Sequence, residues 1–271
     1  MYHRCDRAIK GGMESLEPRE YAVMFEAESQ HWWFRGTRSI VIDLLARNLP
    51  ASNSGKKLRF LDLGCGTGIT LTRIRDAFGV EPVGLDIEVQ ALEFCRQRGH
   101  TELVEGSIVS TPFEDDSFDV VTALDVVEHL DDDVAAIREG GRVVRPGGIV
   151  LLTVPACPWL WSDHDIALHH KRRYRERQLR ERIEQAGLTV ESSGHFNTVL
   201  FVPAATVRLA RRAASLLRSG AGEFPHSDVS LPPSLINTVL RRLLESERDI
   251  AARGMLPFGL SLFAVARKKE G

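Results

Sequence analysis

No run of residues in this chain is long and apolar enough to cross a membrane. The most apolar stretch, FNTVLFVPAATVRLA (196–210), is interrupted by Asn197, Pro203 and Arg208, whereas a spanning helix needs about 20 consecutive apolar residues. It reads as a cap helix, one that can at most touch a lipid surface peripherally. A signal peptide is not visible either, because MYHRCDRAIKGG lacks an apolar central region. Cysteine is scarce: the four, at 5, 65, 95 and 157, show no CxxC or other ligand-like spacing. A reduced, cytoplasmic protein without a metal site is therefore expected. An excess of one charge is also missing. Thirty-five Lys and Arg stand against 37 Asp and Glu, so the field of the whole protein exerts no general pull on polyanions. Nucleic acid is not the expected partner.

What is present is an ordinary globular composition, 43% hydrophobic and 27% charged over 271 residues. From about residue 58, strand-like and helix-like segments alternate. LRFLDLG (58–64), PVGLD (82–86), TELVE (101–105), FDVVTALD (118–125) and GGIVLLTVP (147–155) read as strands. LTRIRDAFG (71–79), VQALEFCRQRG (89–99) and DDDVAAIREGGRVVRP (131–146) repeat apolar residues at helical spacing between them. RERQLRERIEQAG (175–187) is a further helix that stops at Gly187, LTVESSGHFN a sixth strand, and LPFGLSLFAVARKK a last one. This alternation predicts an α/β fold, a doubly wound and mostly parallel seven-stranded sheet with ligand sites beyond the carboxyl ends of the strands. The expected organisation is an N-terminal helical arm or lid (1–55), a cofactor-binding core (56–195), a helical cap insertion with a flexible Gly/Ser/Pro-rich loop at 215–234 (196–257), and the last core strand with its tail (258–271).

The sharpest motif is FLDLGCGTG (60–68), where a strand runs through Asp62 into Gly64, Gly66 and Gly68 and then a helix. Glycines are needed where backbone turns sharply and lies against a ligand. A dinucleotide fingerprint would place its third glycine at position 69, which is Ile69, and a Walker loop would need Gly-Lys-Ser/Thr, which is absent. Asp86 ends the second strand, where an acid can accept hydrogen bonds from both ribose hydroxyls. Each such charge-assisted bond is worth roughly 1.5–3 kcal/mol if buried.

On these residues the chain resembles the class I S-adenosylmethionine-dependent methyltransferases, in particular the small-molecule branch called type 11, over about residues 56 to 195. The resemblance implies S-adenosyl-L-methionine as cofactor, with S-adenosyl-L-homocysteine as product, on a Rossmann-like fold. It implies that the loop at Gly64, Gly66 and Gly68 passes under the cofactor and that Asp86 holds its ribose. Asp62, Ile87, Ser107, Ile108, Leu124 and, from the arm, Trp33 are the further implied contacts. Ser107, in GSIVSTPF (106–113), replaces the acid usual near the adenine amino group. DDSFDVV (115–121), RPGGIVLLTVP (145–155) and LDVVEHLDD (124–132) match the family pattern.

Methyl transfer from a sulfonium needs alignment above all, with the nucleophile in line at about 3 Å. The Asn/Asp-Pro-Pro-Tyr/Phe motif that stacks a flipped base is missing; Leu124-Asp125-Val126-Val127 stands there instead. The basic run HHKRRYRERQLRER (169–182) reads as a solvated helix face. Two pairs of tryptophans are the unusual feature. Trp32 and Trp33 lie in HWWFRGTR (31–38), and Trp159 and Trp161 in PACPWLWSDHDIALHHKRRY (155–174). The arm from about 18 to 40 is expected to fold as a lid whose stripe is Tyr21, Met24, Phe25 and Glu28, so that all four tryptophans rim one pocket for an apolar or amphipathic small molecule. Tyr21, His129, His169, His170 and Tyr174 are the candidates to hold or deprotonate the acceptor, with at most one of the two adjacent histidines acting. HWWFRGTR, HDIALHHKRRY, FNTVLFVPAATVRL and LPFGLSLFAVARK also resemble segments of bacterial methyltransferases of lipid, envelope-glycoconjugate and natural-product pathways. That resemblance implies oligomers through the N-terminal helix in some members, and cyclisation with or without methyl transfer in others. A cofactor-retaining cyclase, a degenerate binding module and an RNA methyltransferase are the alternatives.

Overall fold

A computed structural model describes residues 18–50, 57–203, 205–207 and 231–270. Most of the glycine-rich loop expected at 215–234, and the parts of the arm before 18 and after 50, lie outside the described residues. Seven strands form one sheet in the order β3-β2-β1-β4-β5-β7-β6. They are β1 (Phe60–Leu63), β2 (Val83–Asp86), β3 (Leu103–Glu105), β4 (Phe118–Leu124), β5 (Val144–Pro155), β6 (Thr189–Phe196) and β7 (Ser261–Arg267). β1 to β5 pair in parallel, while β7 is inserted antiparallel between β5 and β6. The expected mostly parallel, seven-stranded sheet is what the chain forms. The strand order reverses direction between β1 and β4, and a crevice opens at the carboxyl ends of strands at such a switch point. The loops after Leu63 and Leu124 border that crevice.

The helices are α1 (Pro18–Gln30), α2 (Trp32–Asn48), α3 (Ile69–Phe78), α4 (Val89–Gln97), α5 (Asp133–Val143), α6 (Asp163–Ala167), α7 (Glu176–Gln185), α8 (Ser234–Ser246) and α9 (Arg248–Ala251). Two apolar layers cover the sheet. One joins Leu63, Val121, Ile137, Val150, Leu179 and Ile183. The other joins Ile40, Leu44, Leu45, Phe60, Ile74 and Phe263. α2 therefore belongs to the core, because its stripe Ile40, Val41, Leu44 and Leu45 is buried against strands. The expected lid of 18–40 divides at His31, and only α1 lies outside the sheet layers. β5 begins at Val144, three residues before its expected start, so RVVRP contributes strand where helix was expected.

Helix α8, from the insertion between β6 and β7, packs on α2. Asn237 joins the break between α1 and α2: its Oδ1 accepts from the Trp32 N–H at 2.9 Å and its Nδ2 donates to Gln30 O at 2.9 Å. The glycine of HWWFRG is explained here, since a Cβ on Gly36 would lie 2.4 Å from Leu244 Cδ2. Gly36→Val should cost about 2 kcal/mol through overpacking, read as a Tm fall of roughly 4–8 °C. In a double-mutant cycle with Leu244→Ala the two changes should cost less together than their sum; strict additivity would show that the contact is not the cause.

Candidate functional site

The site begins with the turn that ends β1. Gly64, Gly66 and Gly68 all have positive φ, at 73°, 54° and 81°. Gly64 N–H donates to Leu85 O at 2.8 Å, which pins the turn to the neighbouring strand. The three glycines differ in their surroundings. A Cβ at Gly64 would meet Val126 and one at Gly68 would meet Cys95, but a Cβ at Gly66 would find nothing within 4 Å. Gly64 and Gly68 are thus demanded by the protein's own packing, whereas Gly66 opens onto free space.

Asp86, at the end of β2, accepts from Gly66 N–H and Glu88 N–H, each at 2.9 Å and each on a different carboxylate oxygen. Burial pushes its carboxyl above the usual range, and those two bonds oppose the shift. A carboxylate has about four acceptor sites, so two backbone bonds leave capacity for hydroxyl donors. Asp62 is buried within β1 and accepts from Thr122 Oγ1 at 2.6 Å. Burial pushes its carboxyl up to about 7. On β4's side, Leu124 is partly buried and Asp125 exposed, the latter at a φ of 52° with its N–H held by Thr153 O at 2.9 Å. Open turn, ringed acid and strand-end acid fit an adenosyl cofactor. Ser107 and Ile87 are partly buried. Ile108 is not at the opening: it is 3% exposed and packs in the core with Leu85, because the short turn after β3 directs it inward.

α1 docks against this loop. Glu28, buried, accepts from Thr67 Oγ1 and from Arg98 Nη2, the latter at 3.4 Å. Arg98 also donates to Thr67 O at 2.8 Å and to Phe25 O at 2.9 Å, and its guanidinium lies 4.1 Å over the Phe25 ring. Phe25 packs on Phe94 of α4 at 4.9 Å. Tyr21 is buried beside Asp86 and Glu88, and burial plus these two charges pushes its phenol well above its ordinary range. Of the expected stripe, Tyr21 and Glu28 are buried and Met24 and Phe25 partly so. Tyr21 stands at the ribose-type acid, away from the histidines.

The tryptophans part company. Rings on adjacent helical residues point about 100° apart, and Trp32 and Trp33 meet edge to face at 5.6 Å. Trp32 packs into the sheet layer that holds Phe60 and Leu44. Trp33 packs with Leu160, Phe201 and Leu260, and Trp159 sets its ring 5.9 Å from Phe201. One pocket rimmed by all four is therefore not formed, since Trp32 is committed to the core. Trp33 lies with the apolar segments beyond β5.

The candidate acceptor residues also separate. Tyr174 is fully buried and its hydroxyl donates to Asp133 Oδ2 at 2.8 Å. That bond ties the segment after α6 to α5, and the phenol does not reach the crevice. His169 is exposed on a turn at φ 54°. His129 and His170 come together, ring centroids 4.9 Å apart. Burial and the neighbouring His170 push His129 down to about 4. His170 Nδ1 bonds Asp165 Oδ1 at 2.9 Å. Burial works against the charge on Asp165, but His170 and Arg173 hold it well below the usual carboxylate range.

Sequence reading missed Thr67, Arg98, Asp165 and Glu128. Glu128 carried a signal, an acid among apolar residues in DVVEHL. It is 0% exposed, and neither carboxylate oxygen has a hydrogen-bond partner.

Residues 61–152 match the type 11 methyltransferase family, described as a methyltransferase domain. A Mycolicibacterium smegmatis protein described as a probable S-adenosylmethionine-dependent methyltransferase is 30% identical over 167 residues, covering 60% of this chain and 62% of its own. The 27-O-demethylrifamycin SV methyltransferase of Amycolatopsis mediterranei is 36% identical over 132 residues, covering 45% of this chain and 47% of its own. The chain thus spans about half to three-fifths of the length of these curated relatives. In backbone it is similar to a chain of the complex between the Haloferax volcanii Trm112 methyltransferase activator and a methyltransferase. The TM-score there is 0.59 at 21% identity, over 94% of this chain and 95% of that one. Domain match, relatives and fold agree: the chain carries a class I S-adenosylmethionine-dependent methyltransferase domain. S-adenosyl-L-methionine is the cofactor of that domain.

Proposed function

We propose that this chain transfers a methyl group to a rather apolar small molecule, of natural-product, isoprenoid or lipid-like kind. One observation carries the reading. Trp33 from α2, Cys157 and Leu160 beyond β5, and Phe201, Ala205 and Leu260 of the insertion make one apolar cluster at the carboxyl end of β5. It lies at the same sheet end as the glycine turn, and Trp159, Val199, Val202 and Phe258 extend it as exposed apolar surface. A wall of aromatic and aliphatic groups favours an apolar acceptor through the area it removes from water, about 25 cal/mol per Å². The relative named for a rifamycin acts on a natural product by its name, which agrees with this class.

S-adenosyl-L-methionine supplies a methyl group already activated on a sulfonium. The protein's part is placement. In this reading the turn at Gly64, Gly66 and Gly68 supports the cofactor, Asp86 receives its ribose hydroxyls, and Ser107 and Ile87 flank its adenine. Asp62, Leu124 and Asp125 meet its amino-acid end, and Tyr21 with α1 keeps water from the ribose side. His129 and His170 are the polar groups left to hold an acceptor atom, and no described helix is long and apolar enough to cross a membrane.

Asp62 makes the reading testable by pH. Its raised value means that the empty fold favours the protonated acid, and ionised Asp62 is populated only as pH rises through about 7. A cationic ligand group favours the ionised form, so affinity for S-adenosyl-L-methionine should rise with pH. Between pH 6 and 8 the ionised fraction grows roughly tenfold, and Kd should fall by about that factor. Calorimetry on Asp62→Asn should give a flat profile; an unchanged slope would remove Asp62 from the cofactor site.

The acceptor itself is found by incubating the full chain with methyl-deuterated S-adenosyl-L-methionine and a bacterial extract, then analysing lipid, polar, RNA and protein fractions by mass spectrometry. Label in an apolar metabolite is expected. Label in RNA would overturn the reading, and tight cofactor binding with an altered but unlabelled apolar product would replace it with a cyclase.

A further inference from the structure

Glu128 presents a problem that the methyl-transfer reading leaves unsolved. It sits on the 3-10 turn of residues 127–129, wholly buried, with neither carboxylate oxygen hydrogen-bonded. A buried carboxyl group whose oxygens lack hydrogen bonds is costly. Two imidazoles stand beside it. Its Oε1 lies 4.0 Å from His170 Nε2, and ligand atoms of Glu128, His129 and His170 all lie within 4.8 Å of one another.

We propose that Glu128, His129 and His170 bind a divalent first-row transition-metal ion. The site goes beyond the methyl-transfer reading and does not depend on it. Three features of the surroundings support it. The donor set, two imidazoles and one carboxylate, suits Zn, Fe, Co or Ni rather than Mg or Ca, and leaves coordination positions open. Ligands about 2.1 Å from a tetrahedral ion are about 3.4 Å apart, so side-chain rotations closing at most about 1.4 Å complete the site. The outer groups are already arranged. His170 gives its Nδ1–H to Asp165 at 2.9 Å, which leaves Nε2 to face Glu128. Asp165 is itself fixed by Arg173 Nε at 2.7 Å and Ser162 N–H at 2.9 Å. A carboxylate that orients a ligating histidine in this way is the usual outer partner of a metal site. Lys171 N–H donates to Glu128 O at 2.9 Å, which joins the two segments that supply the ligands.

The test uses the full chain, freed of metal with a chelator, without cofactor or acceptor. Titration with Co2+ should give one bound ion per chain with visible d–d absorption, displaced by Zn2+. Glu128→Gln and His170→Ala should each weaken Co2+ binding by about 100-fold or more, and Asp165→Asn, a positioning change, by about 10-fold to 100-fold. His164→Ala, on the exposed side of α6, should leave binding unchanged. Melting curves in chelator establish that each variant is folded, and His170→Gln substitutes for any that is not. Absence of stoichiometric binding in the parent chain, or unchanged affinity in a folded Glu128→Gln variant, overturns the site. Because the readout is optical and needs no turnover, its failure leaves the methyl-transfer reading standing.

Discussion

Gly66→Val should weaken cofactor binding by about 100-fold and leave the fold standing. The added Cβ meets no protein atom, since nothing lies within 4 Å of it. Its cost to folding is therefore the strain of a β-branched residue at φ 54°, of order 1–3 kcal/mol. The same free space is what a ligand lying on the turn must occupy. The substitution also disturbs the N–H that bonds Asp86, so both supports of the ribose side are affected. We expect S-adenosyl-L-homocysteine to bind on the order of 100-fold more weakly, about 2.7 kcal/mol by calorimetry. Gly68→Val is the contrasting case. It forces a Cβ to 2.8 Å from Cys95 Sγ and 3.1 Å from Cys95 Cα, so stability should fall before binding is tested. Affinity retained within a few-fold in Gly66→Val would place the cofactor elsewhere.

Glu28→Ala should release α1 from the glycine turn. Arg98 loses its carboxylate partner among the described residues, and Thr67 Oγ1 loses its acceptor. Removing one member of a buried ion pair costs about 3–5 kcal/mol; Arg98 keeps its bonds to Thr67 O and Phe25 O, so about 3 kcal/mol is expected. Limited proteolysis should then cut ahead of residue 31 faster than in the parent chain, and cofactor affinity should drop roughly tenfold as Thr67 loosens. Glu28→Gln retains an acceptor for Thr67 and should recover part of the affinity. Unaltered proteolysis and affinity in Glu28→Ala would show that α1 is not coupled to the turn. Truncation is informative only after Gln30, because a cut at residue 40 also removes Trp32 and Gly36, which the core layer and α8 require.

The parallel strands were legible because they are short runs of β-branched and aliphatic residues punctuated by glycine; the runs in β1, β2 and β4 lie where their patterns placed them, and β5 contains its expected run but starts three residues earlier. The glycine turn and Asp86 were legible for a related reason, since positive φ and a strand-end acid are local requirements. Residues whose role depends on a distant partner were not. Tyr174 reads as a free phenol among histidines, yet Asp133 on α5 takes its hydroxyl. Arg98 looks like a solvated helix end, yet it holds α1 and the turn together.

The order of strands and helices, the nucleotide-type turn and the acid that faces it follow from the sequence alone, because they rest on periodicity, backbone conformation and spacing within a few residues. Which tryptophan joins the core, why Gly36 must lack a side chain, and the meeting of Glu128 and His129 with His170 were decided only by the tertiary structure. Each depends on two segments far apart in the chain being pressed together by burial of the sheet's two faces, and no local pattern records which side chains meet when that happens.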